Sequence, residues 1–329
     1  MKKRILSGMR PTGRLHLGHY WGVLVNWVAL QEEFDCHFMV ADWHALTSEW
    51  KNASAIPSHI RDNVADWIAA GVDPERSVVF VQSAVPAHAE LHLILSCLTP
   101  LGWLERVPTY KEAQQELAAK GVDNYAFLGY PVLQAADILL YKAHVVPVGE
   151  DQLPHLELAR EIARRFHSVF GREVFPEPQA RLTPTPRLLG LDNRRMSKSY
   201  GNTIDLGEDL GSVERKVKGM FTDPGRKRRG DPGNPAICNV FAFHGFLSPP
   251  DRRPRIERDC RSAAIGCVEC KEELAARLVE WLRPHQERRR ALLEDPGRID
   301  ALLARGNERA RETAGRTLKE VRETVFGSR

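Results

Sequence analysis

The chain lacks several features, and each absence narrows what it can be. No segment is apolar and uncharged for the length a bilayer requires, so no membrane-spanning helix and no membrane partner are expected. The basic start Met1-Lys2-Lys3-Arg4 is not followed by an apolar stretch of signal-peptide length, which leads to the expectation of a cytoplasmic protein. There is no internal repeat and no low-complexity tract. Cysteine is scarce, with six in 329 residues. Cys36 and Cys97 stand alone in apolar surroundings and read as core residues. The other four fall between Cys238 and Cys270, and clustered cysteines in a cytosolic chain suggest a metal before a disulfide.

What is present suits a folded protein. Apolar residues make up 43%, enough for a core, and charged residues an ordinary 27%. The net charge of +4 is compatible with a nucleic-acid partner but does not require one.

Strand and helix signals alternate in the first half. Ile5-Leu6 reads as the end of a strand, and Trp21, Leu24, Val25 and Val28 recur at helical spacing. His37 to Ala41 reads as a buried strand. Ile60, Val64 and Trp67 mark the next helix, with Gly71 placed to end it, and Val78 to Val81 is a third strand. This β-α-β-α-β run predicts a parallel sheet covered by helices. Residues 223–235 form a Pro/Gly-rich loop with four consecutive cations, Arg226 to Arg229. Beyond it, Leu274, Leu278 and Leu282 share one helical face, and Ala310, Ala314, Leu318, Val321 and Val325 share another. The expected division is an α/β domain over 1–200 and a helical region over 201–329.

Two polar segments carry candidate chemistry. In Arg10-Pro11-Thr12-Gly13-Arg14-Leu15-His16-Leu17-Gly18-His19, Gly13 permits a tight turn and Gly18 a close backbone approach. A helix starting near His19 would offer an anion site, with two histidines as donors. The same string also fits a capping turn with exposed histidines. In Arg194-Arg195-Met196-Ser197-Lys198-Ser199, cations and hydroxyls could clamp a triphosphate, or form a polar surface loop.

Taken together they are far more specific. His16-Leu17-Gly18-His19 resembles the "HIGH" signature of class I aminoacyl-tRNA synthetases. Arg195-Met196-Ser197-Lys198-Ser199 resembles their "KMSKS" signature, with Arg for the first Lys. The strings Tyr130 to Tyr141 and Val146-Pro147-Val148-Gly149-Glu150-Asp151-Gln152, continued by His155, Glu157 and Leu158, are similar to the central block of tryptophanyl-tRNA synthetases. The resemblance implies a Rossmann-type parallel sheet with a helical C-terminal tRNA-binding region. It also implies ATP and L-tryptophan as substrates with Mg²⁺, tRNA(Trp) as partner, and a homodimer.

Residue by residue, the resemblance places His16, His19, Arg195 and Lys198 at the chemistry. Arg10, Pro11, Thr12, Gly18, His19, Gly149, Glu150, Asp151, Leu188, Arg195, Met196, Ser197, Lys198 and Ser199 are expected to line the ATP site. Tyr130 and Gln152 are expected to hold the α-amino group. Leu6, Gly8, Gln134, Asp137, Val146 and Val148 are expected around the side chain of tryptophan, with His44 either in that pocket or purely structural.

In the family that this chain resembles, the residue matching Asp137 binds the indole nitrogen. Indole offers one N–H on an apolar body, for which a buried carboxylate is a suitable acceptor. Ala135, Ala136, Ile138 and Leu139 around Asp137 favour burial over a helix surface. Gln134 with the following Asp137 also suits a tyrosine pocket, and Leu6 tips the balance. Tyrosyl enzymes place a tyrosine where this chain has Leu6, and leucine cannot bond a phenol. The rival readings are a tyrosyl-tRNA synthetase, a synthetase-derived protein that charges no tRNA, and a nucleotidyltransferase of similar fold.

Cys238, Cys260, Cys267 and Cys270 read C-x21-C-x6-C-x2-C. Structural Zn²⁺, an iron–sulfur cluster and unligated thiols all fit this set. A subset of bacterial tryptophanyl enzymes carries nearly this pattern, with a first spacing one residue longer, and binds a [4Fe-4S] cluster. That resemblance ranks the cluster ahead of zinc. The Arg226–Arg229 loop either meets tRNA phosphates or is solvated.

Overall fold

The computed structural model describes residues 2–107, 124–182 and 188–327. The chain divides into two compact units that interleave in sequence. Met1–Gly13, Trp27–Pro184 and Asp295–Arg329 form the first, and Arg14–Asn26 with Thr185–Glu294 the second. These compact units do not follow chain order.

The first unit is built on five strands: β1 (Arg4–Met9), β2 (Asp35–Val40), β3 (Val78–Val81), β4 (Val145–Val148) and β5 (Gln179–Leu182). They form one sheet in the order β3-β2-β1-β4-β5, and every pairing is parallel. This is the expected Rossmann-type arrangement. β1 runs further than Ile5-Leu6 suggested, because its pairing with β2 continues through Gly8↔Met39 and Met9↔Val40. The chain builds outward on one side of β1, then crosses to β4 on the other. That switch places the ends of β1 and β4 side by side, where ligands of open α/β sheets bind.

Helices cover the sheet as the periodicity predicts. Ile56–Ala70 buries Val64 and Trp67 and stops at Gly71, whose φ of 112° a side chain would resist. Trp27 stacks on Phe38 with ring centroids 4.4 Å apart and donates to Ser7 Oγ at 3.0 Å. Cys36 is buried as expected. Cys97 is exposed, since it lies just past the end of the Ala87–Ser96 helix, where the chain turns at the surface.

The Pro296–Phe326 helix belongs to this unit and covers the outer edge of β3. Asn307 Oδ1 accepts from the Val81 amide at 2.9 Å, so an edge N–H that would otherwise be open has a partner. Ala310, Ala314, Leu318 and Val321 are buried, the face the spacing predicts.

The second unit is mainly helical, with Leu210–Lys218, Asn239–Leu247, Arg252–Arg261 and Cys267–Glu294 as its main elements. Leu274, Leu278 and Leu282 are each 0% exposed. Burial of this kind is worth about 2 kcal/mol per leucine. Within this unit Trp21 stacks on Trp281 at 4.7 Å and Tyr20 meets the same ring edge-on at 4.6 Å. Among the described residues no helix is long and apolar enough to cross a membrane.

Candidate functional site

In the second unit the two polar segments, far apart in sequence, are joined through their backbones. The Leu17 amide donates to Ile204 O at 3.0 Å, the Leu206 amide donates to Leu15 O at 2.9 Å, and His16 bridges to Asp205. A β-carbon on Gly18 would lie 3.6 Å from Met196 Sδ, so the first segment rests against the second.

The histidines are not simply exposed. His16 caps the short helix Leu17–His19: its Nδ1 accepts from the Gly18 amide at 3.1 Å, while His19 Nδ1 accepts from the His16 amide at 3.2 Å. Both Nδ1 atoms are therefore acceptors, and each ring carries its proton on Nε2. Burial, aided by Lys198, lowers His16 to about 4. Burial, then His16 and Lys198, lowers His19 to about 3. Near neutral pH both are neutral rings with one N–H donor each.

The Arg195–Ser199 loop is braced from within. Asn202, 3% exposed, accepts from the Ser197 amide at 2.8 Å and donates to Asp192 Oδ1 at 2.7 Å and Arg195 O at 3.0 Å. Leu188 and Met196 are buried beneath it, whereas Arg195, Lys198 and Ser199 are exposed. Ser197 and Ser199 share a hydroxyl hydrogen bond of 2.8 Å. Asn202 lies three residues past the signature and was not picked out from sequence.

In the first unit, Gly8, Met9 and Arg10 leave the end of β1, and Val148, Gly149 and Glu150 leave the end of its neighbour β4. Gly8 has no room for a side chain, since a β-carbon would meet Met39 O at 2.9 Å. At Gly149 the nearest atom to such a β-carbon is Asp151 Oδ1 at 2.6 Å, the end of an exposed side chain that can turn away. Arg10 bonds Ser48 Oγ, Pro11 is buried, and Thr12 donates its amide to Arg10 O at 2.9 Å. Glu150 and Asp151 are exposed on a short turn, where Gln152 Nε2 donates to Asp151 Oδ2 at 2.9 Å. Leu6, Val146 and Val148 are buried in one apolar cluster with Val132 and Ala136, and Gln134 is half-buried beside it in chain order. Tyr130 shares a 2.7 Å hydrogen bond with His155 Nε2.

Asp137 is 2% exposed, on the Tyr125–Leu140 helix, as its apolar neighbours predict. Its Oδ1 accepts from Gln82 Nε2 at 2.8 Å and His88 Nδ1 at 2.6 Å, and its Oδ2 from His44 Nε2 at 2.7 Å. Burial alone would raise the carboxyl; the bonds from His44 and His88 outweigh it and hold Asp137 at about 2. His44 is thus brought directly to Asp137. Gln82, His88 and Tyr141, whose hydroxyl is 2.9 Å from His88 Nε2, were not identified from sequence. Gln82 and His88 belong to no recognisable string, and Tyr141 closes the Tyr130–Tyr141 string without being singled out in it.

The four clustered cysteines line a single cavity in the second unit, with Val240, Phe241, Ile256 and Ile265 as its apolar wall. Burial raises the Cys238 and Cys260 thiols and pushes Cys270 to about 12. Among the described residues no three His, Cys, Asp or Glu side chains stand where they could hold a metal ion. The basic loop turns out to be pinned. Arg226 Nη1 faces Cys260 and Cys267 Sγ at 3.9 and 3.8 Å, and its Nη2 donates to Ile265 O at 2.6 Å. Arg229 donates to Ala263 O and Ala264 O. Lys227 and Arg228 remain exposed.

Comparison with known proteins agrees with this geometry. The chain is 50% identical over 324 residues to the tryptophan–tRNA ligase of Thermotoga maritima, with 98% of both chains covered. It is 44% identical over 392 aligned positions to that of Ralstonia nicotianae, again covering 98% of both. Its fold is similar to the crystal structure of Campylobacter jejuni tryptophanyl-tRNA synthetase complexed with ADP and tryptophan, with a TM-score of 0.90, 32% identity, and 98% and 99% of the two chains covered. The family described as tRNA synthetases class I (W and Y) matches residues 1–283. The chain belongs to this tryptophanyl and tyrosyl family of class I tRNA synthetases.

Proposed function

We propose that the protein is a tryptophan–tRNA ligase working in the cytoplasm. The tryptophan carboxylate attacks the α-phosphorus of ATP, forming tryptophanyl-adenylate and releasing pyrophosphate. A hydroxyl of the terminal ribose of tRNA(Trp) then takes the acyl group and AMP leaves. The observation that carries the choice of amino acid is Asp137. It is a buried carboxylate with acceptor capacity left on Oδ2, in a unit where Leu6 offers a phenol no partner.

Roles divide between the units. In the first, Asp137 would accept the indole N–H, Leu6, Val146 and Val148 would pack on the ring, and Tyr130 and Gln152 would take the α-amino group. In the second, the Nε2–H groups of His16 and His19 would donate to phosphate oxygens, and Arg195 and Lys198 would stabilise the leaving pyrophosphate. Such a transfer is driven by positioning and charge neutralisation and requires no protein nucleophile. Mg²⁺ would enter on the triphosphate of ATP, held by phosphate and water. A homodimer is the family expectation.

The four cysteines line one cavity, and their spacing resembles that of the cluster-binding subset of bacterial tryptophanyl enzymes, which supports a [4Fe-4S] cluster ahead of a zinc ion there. Cys238, Cys260, Cys267 and Cys270 would hold it, and Arg226 would face two of the sulfurs.

Aminoacylation of tRNA with each aromatic amino acid tests the proposal, using anaerobically purified protein with its metals quantified. Charging with tryptophan alone is expected, on brown protein containing iron. Charging with tyrosine, or no charging, overturns the function; one zinc per colourless chain overturns the cluster.

A further inference from the structure

The hydrogen bonds behind Asp137 are an unassigned part of the recognition machinery. A carboxylate has about four acceptor positions. Oδ1 of Asp137 is filled from behind by Gln82 and His88, and Oδ2 has one donor, His44. Among the described residues no other donor reaches Oδ2, so one acceptor position is left there. Because the carboxylate only accepts, the proton between it and His88 sits on Nδ1, and His88 Nε2 is left facing the Tyr141 hydroxyl at 2.9 Å. Burial and the charge of Asp137 raise the Tyr141 hydroxyl well above its ordinary value, so it stays protonated and donates to Nε2. His88 is 0% exposed, as is Tyr141, and neither can be reached by a ligand. Gln82 has a second task that fixes its amide: Oε1 accepts from the Trp43 and His44 amides at 3.2 and 3.4 Å, at the start of the Asp42–Glu49 helix that carries His44.

We infer that His88, locked in one tautomer by Tyr141, is a positioning residue for tryptophan: it pins Oδ1 of Asp137 so that Oδ2 alone is presented to the indole N–H. This rests on the reading of Asp137 as the indole acceptor. Without the His88 bond the carboxylate turns within its site, and the pocket loses its preference for a ring bearing an N–H while still accepting a ring of the same shape.

The test compares tryptophan with its benzothiophene analogue, which carries sulfur in place of the N–H, in amino-acid-dependent pyrophosphate exchange by the full-length protein. The wild type is expected to prefer tryptophan by on the order of 100-fold in kcat/KM, the worth of a hydrogen bond to a buried charged group. His88→Leu is expected to raise the tryptophan KM about tenfold or more and bring the preference close to unity, with the ATP KM unchanged. His88→Asn restores a donor at the Nδ1 position and should recover most of the preference. Tyr141→Phe removes one oxygen, leaves the packing intact, and should lose part of the preference without loss of thermal stability large enough to unfold the protein. A wild type indifferent to N–H or sulfur overturns the Asp137 reading itself. A wild type that discriminates, with His88→Leu discriminating equally or His88→Asn no better than His88→Leu, leaves that reading standing and overturns the role of His88.

Discussion

The Leu17 amide donates to the Ile204 carbonyl at 3.0 Å, and this bond ties the histidine segment to the residues just past the Met196-Ser197-Lys198 loop. With the Leu206 to Leu15 bond beside it, it makes one backbone-paired platform of two strings far apart in sequence. The platform is extended by Gln286, whose Nε2 donates to Leu206 O and Glu208 O at 3.0 and 2.8 Å. The histidine donors and the Lys198 ammonium are thus carried by backbone whose hydrogen bonds are already made.

Asn202 is the internal brace of that loop. Removing its side chain leaves the Ser197 amide, Asp192 and the Arg195 carbonyl each short of a partner. Asn202→Ala is expected to slow pyrophosphate exchange about tenfold, since a group aimed at a developing charge loses value quickly when its position loosens. The tryptophan KM should stay within about twofold, because that pocket is made by other residues. Equal loss in kcat and tryptophan affinity would refute a bracing role.

Lys198 is exposed and near enough to the two histidines to lower both. Lys198→Ala is expected to cut the rate of tryptophan activation by about 100-fold or more and leave tryptophan affinity nearly unchanged, the pattern of a cation engaged with charge that develops in the transition state. Equilibrium binding of tryptophan and single-turnover activation separate the two effects. An unchanged rate would remove Lys198 from the chemistry.

Much of this was legible in the sequence, and what was not has a physical reason. Leu274, Leu278 and Leu282 announce a buried face by spacing, and Gly71 announces a helix end because only glycine takes its conformation readily. Asp137 was readable because its neighbours are apolar. Its partners were not. Gln82 and His88 reach it from 55 and 49 residues away, and nothing in a string marks a pair that meets only through folding. β4 and β5 escaped for a different reason: each has four residues, one with a proline and the other with a charge, and only pairing identifies them. The interleaving of the two units has no signal in composition, because residues 14–26 leave their flanking strand and helix to pair near residue 204.

The histidines also make stability depend on pH. Their folded values, about 4 for His16 and about 3 for His19, lie below the ordinary 6.5. The unfolded chain therefore binds protons at a pH where the folded protein does not. The contribution is complete above about pH 6.5 and is lost as pH falls toward 4 and then 3, by up to about 1.4 kcal/mol per pH unit for each ring. The thermal midpoint should fall as pH is lowered from 7 to 4. Asn can keep the acceptor that caps the turn without titrating, so His16→Asn should flatten that fall. The same lowering keeps both rings neutral from pH 5.5 to 8, and neither should contribute a titration to the activation rate over that range.

Two glycines of the Pro296–Phe326 helix give the sharpest contrast. A helix interior normally gains from Gly→Ala by about 0.5–1 kcal/mol, because alanine restricts the unfolded chain and glycine does not. Gly315 has no heavy atom within 4 Å of a built β-carbon, so Gly315→Ala is expected to stabilise by that amount. Gly306 is different. A β-carbon there would sit 1.8 Å from the Val79 carbonyl oxygen, which is backbone of β3 and has no rotamer in which to retreat. The helix must move off the strand, and the move also breaks the bond from the Val81 amide to Asn307. Overpacking costs about 1–3 kcal/mol and an orphaned amide about 1–3 more, so Gly306→Ala is expected to destabilise despite its better helix propensity. Asn307→Ala should reproduce the second part alone. Chemical denaturation of the three variants measures all of this, and a Gly306→Ala protein as stable as Gly315→Ala would show that the helix does not seal the edge of β3 as described.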